Sequence, residues 1–155
     1  MHGRKRPQIR WFARRMRAMG AFQHVLDIGG GRGDLAVHIA QSFPHVRVTV
    51  VDANQRSLEQ GQRFAASFGP GVSDRIRFLC TRITEELDFR QEGILGTSSV
   101  SVGDTGDALA DGASAAPVPA VDFVVALHAC GGLSDLALRC AMRLHQGNMT
   151  LPLAS

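Results

Sequence analysis

Residues 25–35 of the chain, VLDIGGGRGDL, place four glycines within five positions directly after a hydrophobic run. Glycine weakens the interior of a strand or helix and has no side chain to pack, so such a cluster argues against a regular element there. The cluster predicts instead a tight turn between a strand and a helix, where the backbone comes close to another group. Backbone N–H groups at the start of a helix bind polar or charged ligands, so this turn is a candidate binding site.

The hydrophobic pattern on either side of the turn alternates between strand and helix. Short apolar runs predict strands, and apolar residues at helical spacing predict the helices between them. This alternation indicates βαβ units, and hence an α/β, Rossmann-like fold with a parallel sheet and helices on both faces. The predicted helices cover residues 7–19, 34–43, 55–68 and 134–145, and the predicted strands cover 24–28, 46–53, 75–80 and 121–129.

The spacing of the glycines and the position of one acid narrow the choice of ligand. Gly29, Gly31 and Gly33 form a G-x-G-x-G pattern, whereas the dinucleotide fingerprint G-x-G-x-x-G needs a glycine where this chain has Asp34. An NAD-linked oxidoreductase is therefore disfavoured. Asp52 ends the second predicted strand, where a doubly wound sheet places a carboxylate that binds two ribose hydroxyls. The alternative is that the glycines form only a turn and that Asp52 caps a helix.

Two segments of the chain resemble the motifs of a known family. VLDIGGGRGDL is similar to the first motif of class I S-adenosylmethionine (SAM) methyltransferases, and VTVVDANQRSL is similar to the second. The resemblance covers residues 24–82 and 121–145. It implies that SAM is the cofactor and that the loop around Gly29, Gly31 and Gly33 contacts its methionine part.

The resemblance also implies roles for residues around this loop. Asp27 would orient the methionine part, and Asp52, with Ala53 beside it, would bind the ribose. After the third strand the family often carries an acid that binds the adenine amine, whereas this chain has Arg82 near that position. Backbone groups are therefore expected to supply the adenine contacts.

The end of the fourth predicted strand, ALHACGGLSDLALRC, lacks the acid- or asparagine-proline signature of many methyltransferases. It resembles instead a KHLCG…TDLALRC pattern of tRNA 2′-O-methyltransferases. It also resembles an LHACG pattern of methyltransferase domains attached to glutathione-transferase-like proteins and of relatives linked to ribosomal RNA. The resemblance implies that the methyl acceptor is RNA, either tRNA or ribosomal RNA.

His128 and Cys130 are the residues of this segment that could carry chemistry. His128 is the candidate catalytic residue, as a general base or an acceptor contact, and the alternative is a strand-end hydrogen bond to backbone. Cys130 is a candidate nucleophile, but direct methyl transfer needs no covalent intermediate, so a packing role is favoured. A zinc site formed by these two residues with Cys140 and His145 matches no finger spacing, so no metal is predicted.

Basic residues are concentrated at the N-terminus. Residues 1–20 contain seven of the 17 lysines and arginines and no acid, while the whole chain has a net charge of +3. The arginine-rich helix fits three interpretations: binding to RNA phosphates, a mitochondrial presequence, or a solvated helix face. Trp11 and Phe12 favour a helix that packs against the domain, because a cleaved leader has no core to serve.

Cysteine usage and hydropathy indicate the compartment. Three cysteines without a C-x-x-C pair predict free thiols in a reducing environment, which is the cytoplasm or nucleus, with the mitochondrion as the alternative. No apolar run is long enough to span a membrane, and no secretory signal is expected.

The chain length predicts one domain, divided as follows. Residues 1–23 form the basic amphipathic helix, 24–90 the SAM-binding half, 91–120 a disordered low-complexity insertion, and 121–155 the fourth strand with its helix. The family's sheet has more strands than this chain supplies, so the sheet is expected to end after the fourth strand, with an open edge for a protein partner. The alternative functions are a non-catalytic SAM- or RNA-binding module that needs a partner or a longer chain, and a methyltransferase acting on protein or a small molecule.

Overall fold

A computed structural model of the chain describes residues 5–84, 120–127 and 132–146. Four parallel strands form one sheet in the order β3-β2-β1-β4, with helices packed on both faces. The predicted α/β fold is therefore confirmed. The elements are α1 (Lys5–Ala18), β1 (His24–Ile28), α2 (Asp34–Ser42), β2 (Arg47–Asp52), α3 (Gln55–Ala66), α4 (Pro70–Ser73), β3 (Ile76–Cys80), β4 (Phe123–Val125) and α5 (Gly132–Gln146). None of these described helices combines the length and the apolarity needed to cross a membrane.

The predicted elements differ from the observed ones in two places. The helical turn α4 was not predicted, and it begins at Pro70, a residue suited to the first turn of a helix. The strand predicted over 121–129 is shorter in the structure, where β4 pairs with β1 from Phe123 to Val125. Residues 128–129, and most of the predicted insertion (91–119), lie outside the described part of the chain.

Side chains of the sheet alternate between two apolar layers. Val25 and Val50 face the layer formed with α1, α2 and α3, while Leu26 and Val51 face the layer formed with α5. Successive side chains of a strand point to opposite faces, and a strand covered on both faces is hydrophobic along its whole length. By this alternation Asp27 points to the same side as Val25, so its carboxyl group lies within the larger of the two layers.

Helix α1 packs against α2 through one apolar stripe. Ile9, Ala13 and Met16 are almost fully buried, and Phe12 is half-buried. The expectation that Trp11 favours packing is wrong for that residue, since its side chain is 57% exposed. The helical rotation of 100° per residue explains this difference, because it places Trp11 about 200° around the helix from Ile9.

The Arg75 guanidinium group joins the C-terminal end of α2 to α4. It donates to the carbonyl oxygens of Ala40 (2.7 Å), Phe43 (3.0 Å) and Val46 (3.0 Å), and to that of Gly71 (2.6 and 2.8 Å). Carbonyl groups in the last turn of a helix have no partner within the helix. Arg75 therefore adds side-chain hydrogen bonds to these carbonyl groups, of which that of Phe43 also accepts the N–H of Val46 (3.0 Å).

We predict that Arg75→Gln lowers the free energy of unfolding by about 2–3 kcal/mol, because a shorter neutral amide cannot reach these carbonyl groups together. Urea denaturation of the two proteins measures the change. The exposed Arg56 on α3 offers a matched control, and Arg56→Gln should change stability by less than about 0.5 kcal/mol. Equal effects of the two substitutions would contradict the role assigned to Arg75.

Candidate functional site at the carboxyl edge of the sheet

The loop between β1 and α2 turns on glycines with left-handed backbone conformations. Gly29, Gly31 and Gly33 have φ angles of 68°, 54° and 73°. The N–H of Gly33 donates to the carbonyl of Gly30 (2.9 Å), and the carbonyl of Gly33 accepts the N–H of Val37 in the first turn of α2 (2.9 Å). Residues with a Cβ rarely adopt these angles, so the glycines determine the path of the loop.

The Asp52 carboxylate at the end of β2 faces this loop. Its Oδ2 accepts the N–H of Gly31 (2.9 Å), and its Oδ1 accepts the N–H of Asn54 (2.8 Å). The two oxygens of a carboxylate accept about four hydrogen bonds, so each has capacity for one further donor. The helix α3 is capped by Asn54, whose Oδ1 accepts the N–H of Ser57 (3.1 Å). The alternative that Asp52 caps this helix is therefore wrong.

The Asp27 carboxyl group is buried beneath the loop. Its side chain is 1% exposed, and its Oδ2 has no hydrogen-bond partner in the described part of the chain. Burial, and secondarily the neighbouring Asp52 carboxylate, raises the pKa of Asp27 to about 7. Unpaired buried carboxyl groups are uncommon and cluster at functional sites, so Asp27 is a candidate site residue on physical grounds.

Gly30 lies directly over this carboxyl group, although it is not one of the glycines of the G-x-G-x-G pattern. A Cβ at position 30 would stand 2.5 Å from Oδ2 of Asp27 and 2.8 Å from the Val50 side chain. The signal for this role was present in the run of three consecutive glycines. By contrast, among the described residues a Cβ at Gly31 would meet only the Asp52 carboxylate within 4 Å, at 3.7 Å.

The other two predicted glycines face the protein. A Cβ at Gly33 would stand 2.9 Å from the ring of Phe78, and one at Gly29 would stand 2.9 Å from the side chain of Leu133 on α5. A Cβ at Gly61 on α3 would stand 2.6 Å from the same Phe78 ring and 2.8 Å from the carbonyl oxygen of Arg32. No sequence motif marks Gly61, because it lies far along the chain from the loop that it contacts.

The Arg32 side chain ties the loop to the neighbouring helices. Its guanidinium group lies 4.6 Å from the ring centroid of Phe64 on α3, and its Nη2 donates to Asp34 Oδ1 at 2.6 Å. Asp34 begins α2, where a negative charge is favourable to the helix dipole. Loop, α2 and α3 are thus held together on the side of the loop away from β1.

The remaining predicted site residues lie apart from this cluster or outside the described residues. Ala53 and Arg82 are exposed, after β2 and β3 respectively. His128, the predicted catalytic residue, and Cys130 lie outside the described residues, so their assignments stay predictions. Cys140 is buried against the sheet. In the part of the chain that the structure describes, no three His, Cys, Asp or Glu side chains group as metal ligands.

Known proteins resemble this chain over most of its length or over about a third of it. A sequence profile described as a methyltransferase domain matches residues 5–152. The O-methyltransferase pgmB of Aspergillus terreus is 36% identical over 55 residues, which are 35% of this chain and 15% of that protein. The release factor glutamine methyltransferase of Chlorobaculum tepidum is 40% identical over 55 residues, 36% of this chain and 18% of that protein. The chain thus spans less than a fifth of the length of either relative.

One solved structure similar to this chain is a SAM-dependent methyltransferase from Geobacter sulfurreducens in complex with S-adenosyl-L-homocysteine (SAH). It shares 22% identity over 53% of this chain and 31% of that protein, with a TM-score of 0.45.

We predict that Gly30→Ala destabilises the protein by about 1–3 kcal/mol, because the added methyl group overlaps the Asp27 carboxyl group and Val50. Gly71→Ala is the matched control, since a Cβ at that position meets no atom of the described residues within 4 Å. Urea denaturation of both variants provides the measurement. If Gly30→Ala is as stable as Gly71→Ala, the close contact over Asp27 does not exist in solution.

We also predict that burial of Asp27 makes the protein less stable as the pH rises. Between pH 4 and 7 the folded protein retains the Asp27 proton that the unfolded chain has lost, because the folded pKa of about 7 exceeds the ordinary aspartate pKa of 3.8. This group therefore lowers the free energy of unfolding by about 1.4 kcal/mol per pH unit in that range. Asp27→Asn removes the titration, so the stability of this variant relative to wild type should increase from pH 4 to 7 and level off above it. A constant difference between the two proteins would contradict the assignment.

Proposed function

The chain belongs to a family of methyltransferase domains, whose cofactor is SAM, and we propose that it binds SAM at the glycine loop and transfers the methyl group to RNA. The observation that carries the cofactor site is the arrangement of two carboxyl groups around one glycine turn. Asp52 accepts the N–H of Gly31, and Asp27 lies buried beneath Gly30 with one oxygen unpaired. This arrangement supplies acceptors for donors on a ligand and backbone that a ligand can approach closely.

The residues of the site fit the parts of SAM. Asp52 has acceptor capacity for the two ribose hydroxyls, in addition to its bonds to Gly31 and Asn54. Gly31 is partly exposed, and a Cβ there would stand no closer than 3.7 Å to any described atom, which leaves room for the methionine part to lie against the loop. Asp27 is the candidate to orient the methionine part through its unpaired oxygen.

The chain contributes positioning rather than covalent chemistry. SAM supplies an electrophilic methyl group on a positively charged sulfur. Holding donor and acceptor in line lowers the entropic part of the barrier, and a base is needed only to accept the proton that the acceptor loses. We assign this base to His128, because the segment around it resembles a motif of RNA-modifying methyltransferases.

RNA is the acceptor class that the chain's own features favour. The names of the relatives specify an O-methyltransferase and a glutamine methyltransferase acting on release factor, which are different acceptors. The inference therefore depends on this chain, in which seven of the 17 basic residues precede the sheet with no acid among them. Such a local excess of positive charge favours a polyanionic partner.

We predict that Asp52→Ala weakens SAH binding about 10- to 150-fold, because the ribose loses hydrogen bonds to a charged group. Isothermal titration calorimetry of wild type and variant provides the dissociation constants, and circular dichroism confirms that both are folded. Asp74→Ala, which removes an exposed carboxylate at the C-terminal end of α4, is the control and should bind SAH as wild type does. Equal affinity of all three proteins would overturn the cofactor site.

The same preparation then tests the acceptor. With methyl-labelled SAM, label should enter total RNA and should not enter protein extract or a panel of small hydroxyl and amine compounds. Transfer to one of the latter would overturn RNA as the acceptor while leaving methyl transfer intact. SAH binding without transfer to any acceptor would identify a non-catalytic module and overturn the proposed activity.

A further inference from the structure

Helix α1 has a basic exposed face opposite the stripe that packs on α2. Arg10, Arg14 and Arg17 recur at i, i+4 and i+7 and are exposed. Trp11 and Arg15, which are also exposed and four residues apart, lie beside this row. Residues at these spacings share one side of a helix. The face is therefore a continuous surface of four guanidinium groups and one indole ring.

The arginines of this face are available to an external anion. In the part of the chain that the structure describes, none of them forms an ion pair with a carboxylate; the ion pair found there joins Arg32 to Asp34. Arg15 lies over the Trp11 ring at 5.8 Å instead, and Arg17 over the Phe43 ring at 5.5 Å. The pKa of His38 on α2 is lowered, first by burial and then by Arg10 and Arg17, which is a sign of positive potential around α1.

The orientation of α1 relates this face to the site. Arg17 contacts Phe43 at the C-terminal end of α2, and Arg10, two turns earlier, acts on His38 in the middle of α2. Helix α1 ends shortly before β1 and α2 ends shortly before β2, and the starts of these two parallel strands are paired, so the C-terminal ends of both helices lie near the same edge of the sheet. The N-terminal end of α1 is directed towards the start of α2, where the glycine loop ends.

We propose that this face of α1 holds the RNA acceptor by its phosphate groups, with Trp11 stacking on a base. The inference rests on the proposed function, because it takes RNA as the acceptor class. Guanidinium groups bind phosphate in a bidentate manner, and exposed aromatic rings beside arginines are stacking platforms for single-stranded bases. A membrane surface fits less well, because a helix that lies on lipid inserts its apolar face, and in α1 that face is already buried against the domain.

Fluorescence anisotropy with a fluorescein-labelled single-stranded oligouridylate and the whole chain tests this surface. Arg14→Gln/Arg15→Gln should weaken binding at least tenfold and reduce the slope of log K against log salt by about 1.4, or about 0.7 for each lost phosphate contact. The matched control is Arg56→Gln/Arg63→Gln, which removes two exposed arginines from α3 and should bind as wild type does. Trp11→Ala should weaken binding about fivefold or more without changing the slope, because stacking releases no counterions.

Two results of these binding experiments would overturn the proposal. The first is an equal loss of binding in the α3 control, which would indicate attraction by net charge alone. The second is binding to phosphatidylserine vesicles or to polyglutamate, but not to the oligouridylate, which would identify a lipid or an acidic protein as the partner.

The outcomes also distinguish this inference from the proposed function. If label enters RNA with an unchanged KM for RNA in Arg14→Gln/Arg15→Gln, the α1 surface is excluded and the function stands. If the oligouridylate binds at α1 but no RNA is methylated, the surface stands and the function fails. SAH affinity in the α1 variants should equal that of wild type, since none of these residues lies in the cofactor site.

Discussion

The reversal of the chain between β1 and α2 is the constraint on which the rest of the site depends. Three glycines with positive φ complete this turn within five residues, and the turn sets where α2 begins. The same turn brings Gly30 onto Asp27 and the N–H of Gly31 onto Asp52. A larger residue within the turn would move the start of α2 or would separate the loop from the carboxyl groups beneath it. Fold and candidate site thus depend on the same few backbone angles.

The two carboxyl groups at this edge of the sheet have different environments. Asp52 is half-exposed and accepts two backbone N–H groups, whereas Asp27 is fully buried and has one oxygen without a partner. Each residue ends a parallel strand or nearly so, and parallel strands bring their carboxyl ends to one edge. The site therefore combines a carboxylate fixed by the loop with a second carboxyl group whose protonation responds to pH near neutrality. Placing one acid in each of two neighbouring strands is sufficient to create this contrast.

The sequence predicted local features well and long-range ones poorly. The order of strands and helices, the glycine turn and the position of Asp52 follow from short-range patterns, because periodicity and turn chemistry act over a few residues. The aromatic character of Trp11 predicts a packed side chain, whereas the helical rotation from the buried stripe places this side chain in solvent. The hydrogen bonds of Arg75 to the end of α2, and the contact of Gly61 with the glycine loop, join segments about 30 residues apart. No periodic pattern in a single chain carries that information.

The Phe78 ring, which stands between Gly33 of the loop and Gly61 of α3, has a consequence for how this domain can vary. The three positions form one steric unit, so their substitutions are expected to show epistasis. A smaller residue at position 78 would relieve the contact of a side chain at position 61 with the ring but not its contact with the Arg32 carbonyl, so the compensation would be partial. Tolerance to mutation at this part of α3 is then determined jointly by a strand residue and the loop backbone, and a redesign of the loop would have to treat these segments as a single packing problem.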